Sequence, residues 1–500
     1  ILAYGRGYGL ANLDWGIPLT TSTVFDIGSV SKQFTATAIA LLEAEGTLSI
    51  DDPVRKWVPE LPDYGTPFTN RHLLNHTSGV RDYLTLADIA GVDFDNVFDE
   101  LDGVELIVRQ KALNFPPGSR YLYSNSGYLL LANIVRRATD RSLRQFLEER
   151  VFDPLGMAHT SIWDDNTEIL AERATGYARG SDGWTIDHAW NFQMGGDGQV
   201  ITSIEDLAKW DANFYEPRVG GPELLSRLHT RGVLNDGDTI DYALGLSVGE
   251  YRGLRRVSHG GSWAGFRAHF ARFPDHHTSV IVECNRADAD AGGYATAVAD
   301  LVLADAFSEA PPPDRLDPAR SGRPITLDEA QLERWEGLYR TPDEPNYWRF
   351  EVRDGALHIL APGRAIPLAP LSPTRFVMEG PGVPVSFQPE TDEWPEGVRV
   401  GQTVFLREQP ARLGASDLAA LAGSYWSEEL GTRFEVSADE GSLWLVRPDR
   451  DPEPMRPGVE DEFEVAGVAL LVVRDSDGAV DGFEIHAGRV RGLFFQRERP

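Results

Sequence analysis

Through the first 306 or so residues, segments with apolar positions at helical spacing alternate with short runs rich in β-branched and aromatic side chains. The clearest helix follows the strand-like TVFDIG. Phe34, Ala38, Leu41 and Leu42 share one face of a helix expected from Ser31 to Glu45, and Gly46 ends it. A second apolar helix is expected from Tyr128, and Phe266, Ala268 and Phe270 alternate as a half-buried strand does. After Arg334 the pattern becomes strands and turns with hardly any helical periodicity. The stretch between, SEAPPPDRLDPARSGRP from Ser308 to Pro324, has no apolar face and reads as a linker.

The strand-rich part repeats itself. Leu332, Trp335, Gly337 and Tyr339 recur at the spacing of Leu418, Leu421, Gly423 and Tyr425. Each set is followed by FEV, then a Gly-x-Leu hairpin signal at Gly355 and Gly441, and each copy closes on F-x-R-E at Phe405 and Phe495. Short alternating strands without helices bury their apolar face best by closing into a small barrel, two lobes of one sandwich being the alternative. The expected organisation is a mixed domain over 1–306, a linker over 307–326, and all-β domains over 327–409 and 414–500.

A hydrophobic content of 42% with 10% aromatics is ample for packed cores. No window approaches eighteen unbroken apolar residues, so no membrane span is expected. The formal charge of −30 argues against nucleic acid as a partner, because phosphate binding needs clustered cations. The chain opens at Ile1 without a signal-peptide pattern, so a natural start upstream is expected and the compartment is left open. Cys284, the single cysteine, lies in the apolar run SVIVECN and reads as a small buried hydrophobe rather than a nucleophile.

Chemistry first enters at FDIGSVSKQF. Lys32 is one of only four lysines in a chain with 47 basic residues, and it follows Ser29 by three positions. Residues three apart share a helical face, so the amine would stand beside the Ser29 hydroxyl, where partial burial can make it a proton acceptor. The helix start adds a free backbone N–H and a positive field, both useful where an oxyanion develops. A serine at this place is otherwise simply an N-cap.

Two further stretches change that balance: FPPGSRYLYSNSGYLLLANIV, with Tyr123-Ser124-Asn125, and SHGGSWAGFRAHFARF, with His259-Gly260-Gly261. Together, in this order, the three resemble the S-x-x-K, Y-x-N and [KH]-[ST/G]-G elements of the serine β-lactamase and penicillin-recognising hydrolase family (peptidase family S12). LLNHTSGV at Leu73, GGDGQVITSIEDLAKW at Gly195 and the YALGL run at Tyr242 look like that family too. The resemblance implies a helical subdomain beside an antiparallel sheet flanked by helices. The HGG element and the two β-domains are most similar to the three-domain D-aminopeptidase type, whose C-terminal domains are lipocalin-like barrels. Against that fold, a first strand and helix are expected to be missing before Ile1.

By the resemblance, Ser29 is the acylating nucleophile, Lys32 its base and Tyr123 the phenol that passes the proton to the leaving group. Asn125 would hold Lys32 and a substrate carbonyl, and His259 would orient the Tyr123 hydroxyl. Gly260 and Gly261 would permit close approach, with the N–H groups of Ser29 and Ser262 as the oxyanion hole. Neither metal nor organic cofactor is implied. The expected partner is a small-molecule or short-peptide substrate, favouring D-amino-acid peptides or amides, with carboxylesterase or weak β-lactamase action as the near rival and an inactive sensor as the distant one. A homo-oligomer is left open.

Other signals are poorer. His72 and His76 lack the glutamate and third ligand of a zinc site. Gly5, Gly7 and Gly9 lack the dinucleotide-binding spacing. Trp184, Trp190 and Phe192 would line the cleft or pack locally. RPDRDPEPMRP, residues 447 to 457, is long for a hairpin connection. By the resemblance it would reach the site, where Asp449 or Asp451 would hold a substrate ammonium.

Overall fold

The computed structural model describes residues 2–180, 182–309, 324–361, 364–379, 383–389, 396–439, 441–448 and 450–499. Most of the expected linker therefore lies outside the described residues. Internal contacts divide the chain into two compact units: 1–84 with 92–310, and 85–91 with 311–500.

In the first unit, a 3-10 turn, Gly28–Ser31, runs directly into helix α1, Lys32–Ala44. Every residue from Lys32 to Leu42 is buried, polar ones included. Phe34 packs edge-on against Phe152 and tilted against Trp210, with centroids 5.4 and 5.0 Å apart. The polar positions are satisfied internally: Thr35 Oγ1 donates to the Gly196 carbonyl at 2.7 Å, and Gln33 Oε1 accepts from Trp210 Nε1 at 2.7 Å. Helix α2, Asn125–Thr139, packs beside α1 and is likewise buried from Asn125 to Val135. Two further helices, α3 (Ile204–Asn213) and α4 (Gly221–Arg227), precede an antiparallel sheet of four strands. Its order follows the chain: β1 Ser247–Tyr251, β2 Leu254–Trp263, β3 Phe266–Phe273 and β4 Thr278–Cys284. Helix α5, Ala291–Val302, covers one face through Ala295 and Ala299, which join Leu254, Ala271, Phe273 and Val280 in one core. Among the described residues no helix is long and apolar enough to cross a membrane.

In the second unit, two antiparallel sheets of eight strands each close on themselves. The first is sealed by Leu338 opposite Glu408, the second by Tyr425 opposite Arg497. Phe350, Leu357, Ile359, Phe376, Val385, Phe387 and Phe405 fill the first barrel. The repeated residues act alike in both copies. Tyr339 donates to the Trp335 carbonyl at 3.3 Å and Tyr425 to the Leu421 carbonyl at 2.7 Å. The arginine of each F-x-R-E, Arg407 and Arg497, reaches carbonyls just before its barrel's first strand, at Glu336 and Ala422.

Two expectations need correction. The strand-rich part does contain a short helix, Ala415–Leu421, whose Leu418 and Leu421 are buried. The 447–457 segment is not one long connection either. Glu453–Pro457 is a strand with Met455 opposite Leu443, despite its two prolines, and only 447–452 connects. Arg447, buried, holds Glu453 through two N–H donors at 2.8 Å.

Candidate active site

The turn Gly28–Ser31 places Ser29 half-buried at the start of α1, one turn before Lys32. The Lys32 side chain has no exposed surface. Its Nζ lies 3.1 Å from Ser29 Oγ, 2.9 Å from Asn125 Oδ1 and 2.6 Å from the Asp197 carbonyl oxygen. The ring of Tyr123 lies beneath the same nitrogen, centroid 4.9 Å away, with Tyr128 at 5.5 Å. The structure thus brings three expected residues, Ser29, Tyr123 and Asn125, around the amine of a fourth, Lys32. A buried amine held by carbonyl acceptors and aromatic faces is placed to exchange a proton with the serine hydroxyl 3.1 Å away.

Residues outside the motifs hold this set. Asn125 N–H donates to Asp82 Oδ2 at 2.7 Å, and Ser126 Oγ donates to the Arg81 carbonyl at 2.6 Å while accepting from Tyr83 N–H at 2.8 Å. The Arg81-Asp82-Tyr83 segment thereby fixes the start of α2. Tyr83 OH donates to Asp197 Oδ2 at 3.1 Å, anchoring the residue whose carbonyl receives Lys32. Burial pushes the Asp197 carboxyl up to about 6, against the pull of the Lys32 charge. Burial likewise raises Asp26, whose Oδ1 accepts Gly28 N–H at 2.7 Å, to about 7. His76 joins through its ring, 4.1 Å from that of Tyr123 and 4.6 Å from that of Tyr242.

The third motif lies on β2. A Cβ on Gly261 would stand 1.9 Å from the Ile27 carbonyl oxygen, and one on Gly28 would stand 2.7 Å from Ser262 N. Only glycine at 261 lets the strand come this near the Gly28–Ser31 turn, where a Cβ on Gly261 would also stand 3.4 Å from Ser29 N. At Gly260 a Cβ would meet His269 at an ordinary 3.6 Å, so close approach rests on Gly261 alone.

His259 departs from expectation. Its Nε2 faces the Tyr242 hydroxyl at 3.0 Å, not that of Tyr123, whose ring centroid is 6.1 Å away. Its Nδ1 lies 2.7 Å from the Gly260 carbonyl, which can only accept, so Nδ1 carries the proton and Nε2 accepts from Tyr242. Burial above all, helped by the Lys32 charge, holds the imidazole down to about 3. It is a neutral ring at ordinary pH, and burial keeps the Tyr242 phenol protonated as its donor.

Asp449 lies outside the described residues, and Asp451 is exposed. Of the three aromatics, Phe192 packs on Trp263 at 4.4 Å, Trp190 stacks on His188 at 4.0 Å, and Trp184 is exposed. His72 Nδ1 accepts Thr69 N–H at 3.1 Å, a local cap. Cys284 is half-buried, and burial pushes its thiol up to about 11.

The β-lactamase family profile matches residues 2–304. The chain belongs to the β-lactamase family. It is 30% identical over 404 residues to a penicillin-binding protein of Bacillus subtilis, covering 77% of this chain and 87% of that one. It is 28% identical over 515 residues to a D-aminopeptidase of Cereibacter sphaeroides, covering 98% and 93%. In fold it is similar to an octameric penicillin-binding protein homologue from Pyrococcus abyssi, with a TM-score of 0.58 and 24% identity over 81% of this chain and 92% of that one. The chain is a hydrolase of the serine β-lactamase type.

Proposed function

We propose that the protein is a D-aminopeptidase-like hydrolase that cleaves small D-amino-acid amides or peptides through an acyl-enzyme on Ser29. The observation that carries the chemistry is Lys32 Nζ, buried and 3.1 Å from Ser29 Oγ. The substrate class is supported by likeness to D-aminopeptidases over 98% of the chain, both barrels included.

With the amine neutral, Lys32 takes the Ser29 proton as Oγ bonds to the substrate carbonyl carbon. The carbonyl electrons move onto oxygen, where the N–H groups of Ser29 and Ser262 receive them. Collapse breaks the C–N bond. The leaving amine takes a proton from Tyr123, which regains one from Lys32. Water then repeats the sequence on the ester. His259, neutral, does not transfer the proton; with Tyr242 it fixes β2 beside the reacting carbonyl.

The test is intact-mass analysis after exposure to a fluorophosphonate, followed by kcat/KM on D-alanine amide, a simple ester and a cephalosporin. A Ser29 adduct with preference for the D-amide is expected. An adduct elsewhere sinks the mechanism. Preference for the ester favours the second reading, a carboxylesterase; histidine rather than lysine at 259 fits both readings and speaks against efficient turnover of the cephalosporin.

On the resemblance alone, selectivity for a free amine is assigned to Asp449 or Asp451. Replacing residues 448–452 by a Gly-Ser turn spares Arg447 and the strand Glu453–Pro457. The ratio of kcat/KM for D-alanine amide over its N-acetyl form should fall about ten- to a hundredfold, the worth of a charge-assisted contact. An unchanged ratio removes this connection from amine recognition.

A further inference from the structure

Within residues 92–310, and apart from Ser29, a cleft of about 480 Å³ opens where the end of α3, α4 and the turn after it meet Arg255 near the start of β2 and Arg272 near the end of β3. Phe214 serves there as a plate. The Arg272 guanidinium stands 3.7 Å from its centroid, and the His229 ring lies parallel to it, 5.2 Å away at 2°. Stacking fixes both groups without using their N–H or lone-pair sites.

Arg272 is 2% exposed, which makes any unused donor on it costly. Its Nε donates to Asp211 Oδ1 at 2.7 Å, an oxygen that also accepts from Ser279 at 2.8 Å. Among the described residues, neither Arg272 Nη2 nor His229 Nε2 has a hydrogen-bond partner, although both atoms are buried. Burial and the nearby Arg272 and Arg255 charges keep His229 neutral, down at about 3. Arg255 pairs with Asp275 at 3.0 Å, but both are largely exposed, so the pair is worth little and readily exchanged. Formal charge in the cleft is balanced by Asp211 and Asp275; what is in excess is unfilled hydrogen-bonding capacity.

A purely structural role, Arg272 packing on Phe214 and holding Asp211, explains Nε and the stacking. It leaves Nη2 and Nε2 unexplained, and a buried polar atom without a partner is costly. We propose that this cleft binds a small organic anion, its carboxylate or phosphate oxygens taken by Arg272 Nη2 and His229 Nε2 and enclosed by Arg255. The volume falls in the range of small-molecule sites and exceeds what a bare oxyanion fills, so the ligand carries an organic body. In a chain of net charge −30, general attraction cannot gather an anion here, so binding must come from these contacts.

The experiment is calorimetric titration of the full chain with inorganic phosphate and, separately, succinate, ionic strength held constant with chloride. Saturable binding of at least one, with Kd at or below about 10 mM, is expected. Preference for phosphate or for succinate assigns the ligand as phosphoryl or carboxylate. Arg255→Gln and His229→Gln should each weaken binding at least about fivefold while leaving kcat on D-alanine amide unchanged. Arg272→Gln should abolish it, and the two gentler variants keep the test decisive if that one folds poorly. No saturation by either anion, or saturation indifferent to both Arg255→Gln and His229→Gln, overturns the proposal.

Discussion

Helix α1 and the interior of the first barrel are both sealed from water, but they seal in different things. Around α1 the buried groups include an amine, two glutamine and threonine networks and the carboxyls of Asp26 and Asp197, each tied to named partners. Inside the barrel they are Phe350, Ile359, Phe376, Val385, Phe387 and their neighbours, which need only to fill space. Apolar burial stabilises a fold, whereas burying polar and ionisable groups costs free energy that hydrogen bonds only partly return. A helix that buries a lysine is therefore under a demand other than stability. The contrast predicts that substitutions around α1 act on rate and pH dependence, and those inside the barrel on melting.

The largest effect expected is from Ser29→Ala, which should lower kcat at least about a thousandfold, roughly 4 kcal/mol of barrier, with an unchanged unfolding midpoint. Lys32→Arg should be nearly as damaging, because a guanidinium does not give up its proton near neutral pH. If that variant keeps more than about a tenth of wild-type kcat, the base lies elsewhere and Tyr123 is examined first.

On the other side of the contrast, Phe387→Ala removes a 3%-exposed ring packed against Trp335, Phe350 and Phe376 at 4.7, 5.0 and 5.5 Å. It should destabilise the barrel by about 3–5 kcal/mol in urea unfolding while leaving kcat on a small ester within about twofold. A matching fall in kcat would break the division between the two interiors.

Asp26 tests the price of polar burial by pH. Its carboxyl is raised to about 7 in the folded chain by burial, against about 3.9 when unfolded. Between these values the folded state holds more protons, so this residue makes stability fall as pH rises from about 4 to 7. Asp26→Asn keeps an oxygen for Gly28 N–H and removes the titration. Relative to wild type, the variant should gain on the order of a few kcal/mol as pH climbs through that window, read as a growing difference in urea midpoint. A constant difference would show that Asp26 does not titrate there.

What the sequence disclosed and what it concealed divide along similar lines. Ser29 and Lys32 sit one helical turn apart, and Tyr123 and Asn125 two residues apart, so covalent spacing nearly dictates their geometry. The barrels were legible because Gly337, Tyr339 and Arg407 recur as Gly423, Tyr425 and Arg497 and perform the same tasks. Asp82 and Tyr83 carry no local signal, and Asp197 and Tyr242, although they lie in the GGDGQV and YALGL stretches, give no hint of their tasks, because each acts on a residue at least 17 positions away. The strand Glu453–Pro457 was hidden because its two prolines read as breakers, and the helix Ala415–Leu421 because two leucines in seven residues are too short a stripe to register. The charge state of His259 is not legible in the sequence for a deeper reason: an intrinsic value near neutrality says nothing until burial is known.

That dependence on burial yields the subtlest test. Tyr242 is the hydroxyl donor that, with the Gly260 carbonyl, sets which His259 nitrogen bears the proton. Tyr242→Phe keeps the ring among His76 and Tyr123 but leaves Nε2 a buried acceptor without its donor. One neutral hydrogen bond is worth about 0.5–1.5 kcal/mol, so kcat/KM should fall about two- to tenfold. Because His259 is held at about 3, the acidic limb of the kcat/KM profile should not move in this variant, nor in His259→Gln, and near pH 5 to 7 any limb must come from another group. A merely structural Tyr242 would change the unfolding midpoint and leave kcat untouched. A limb that shifts in both variants would return His259 to titration at ordinary pH and cancel the distinction between a neutral imidazole on β2 and the buried amine proposed to carry the proton on α1.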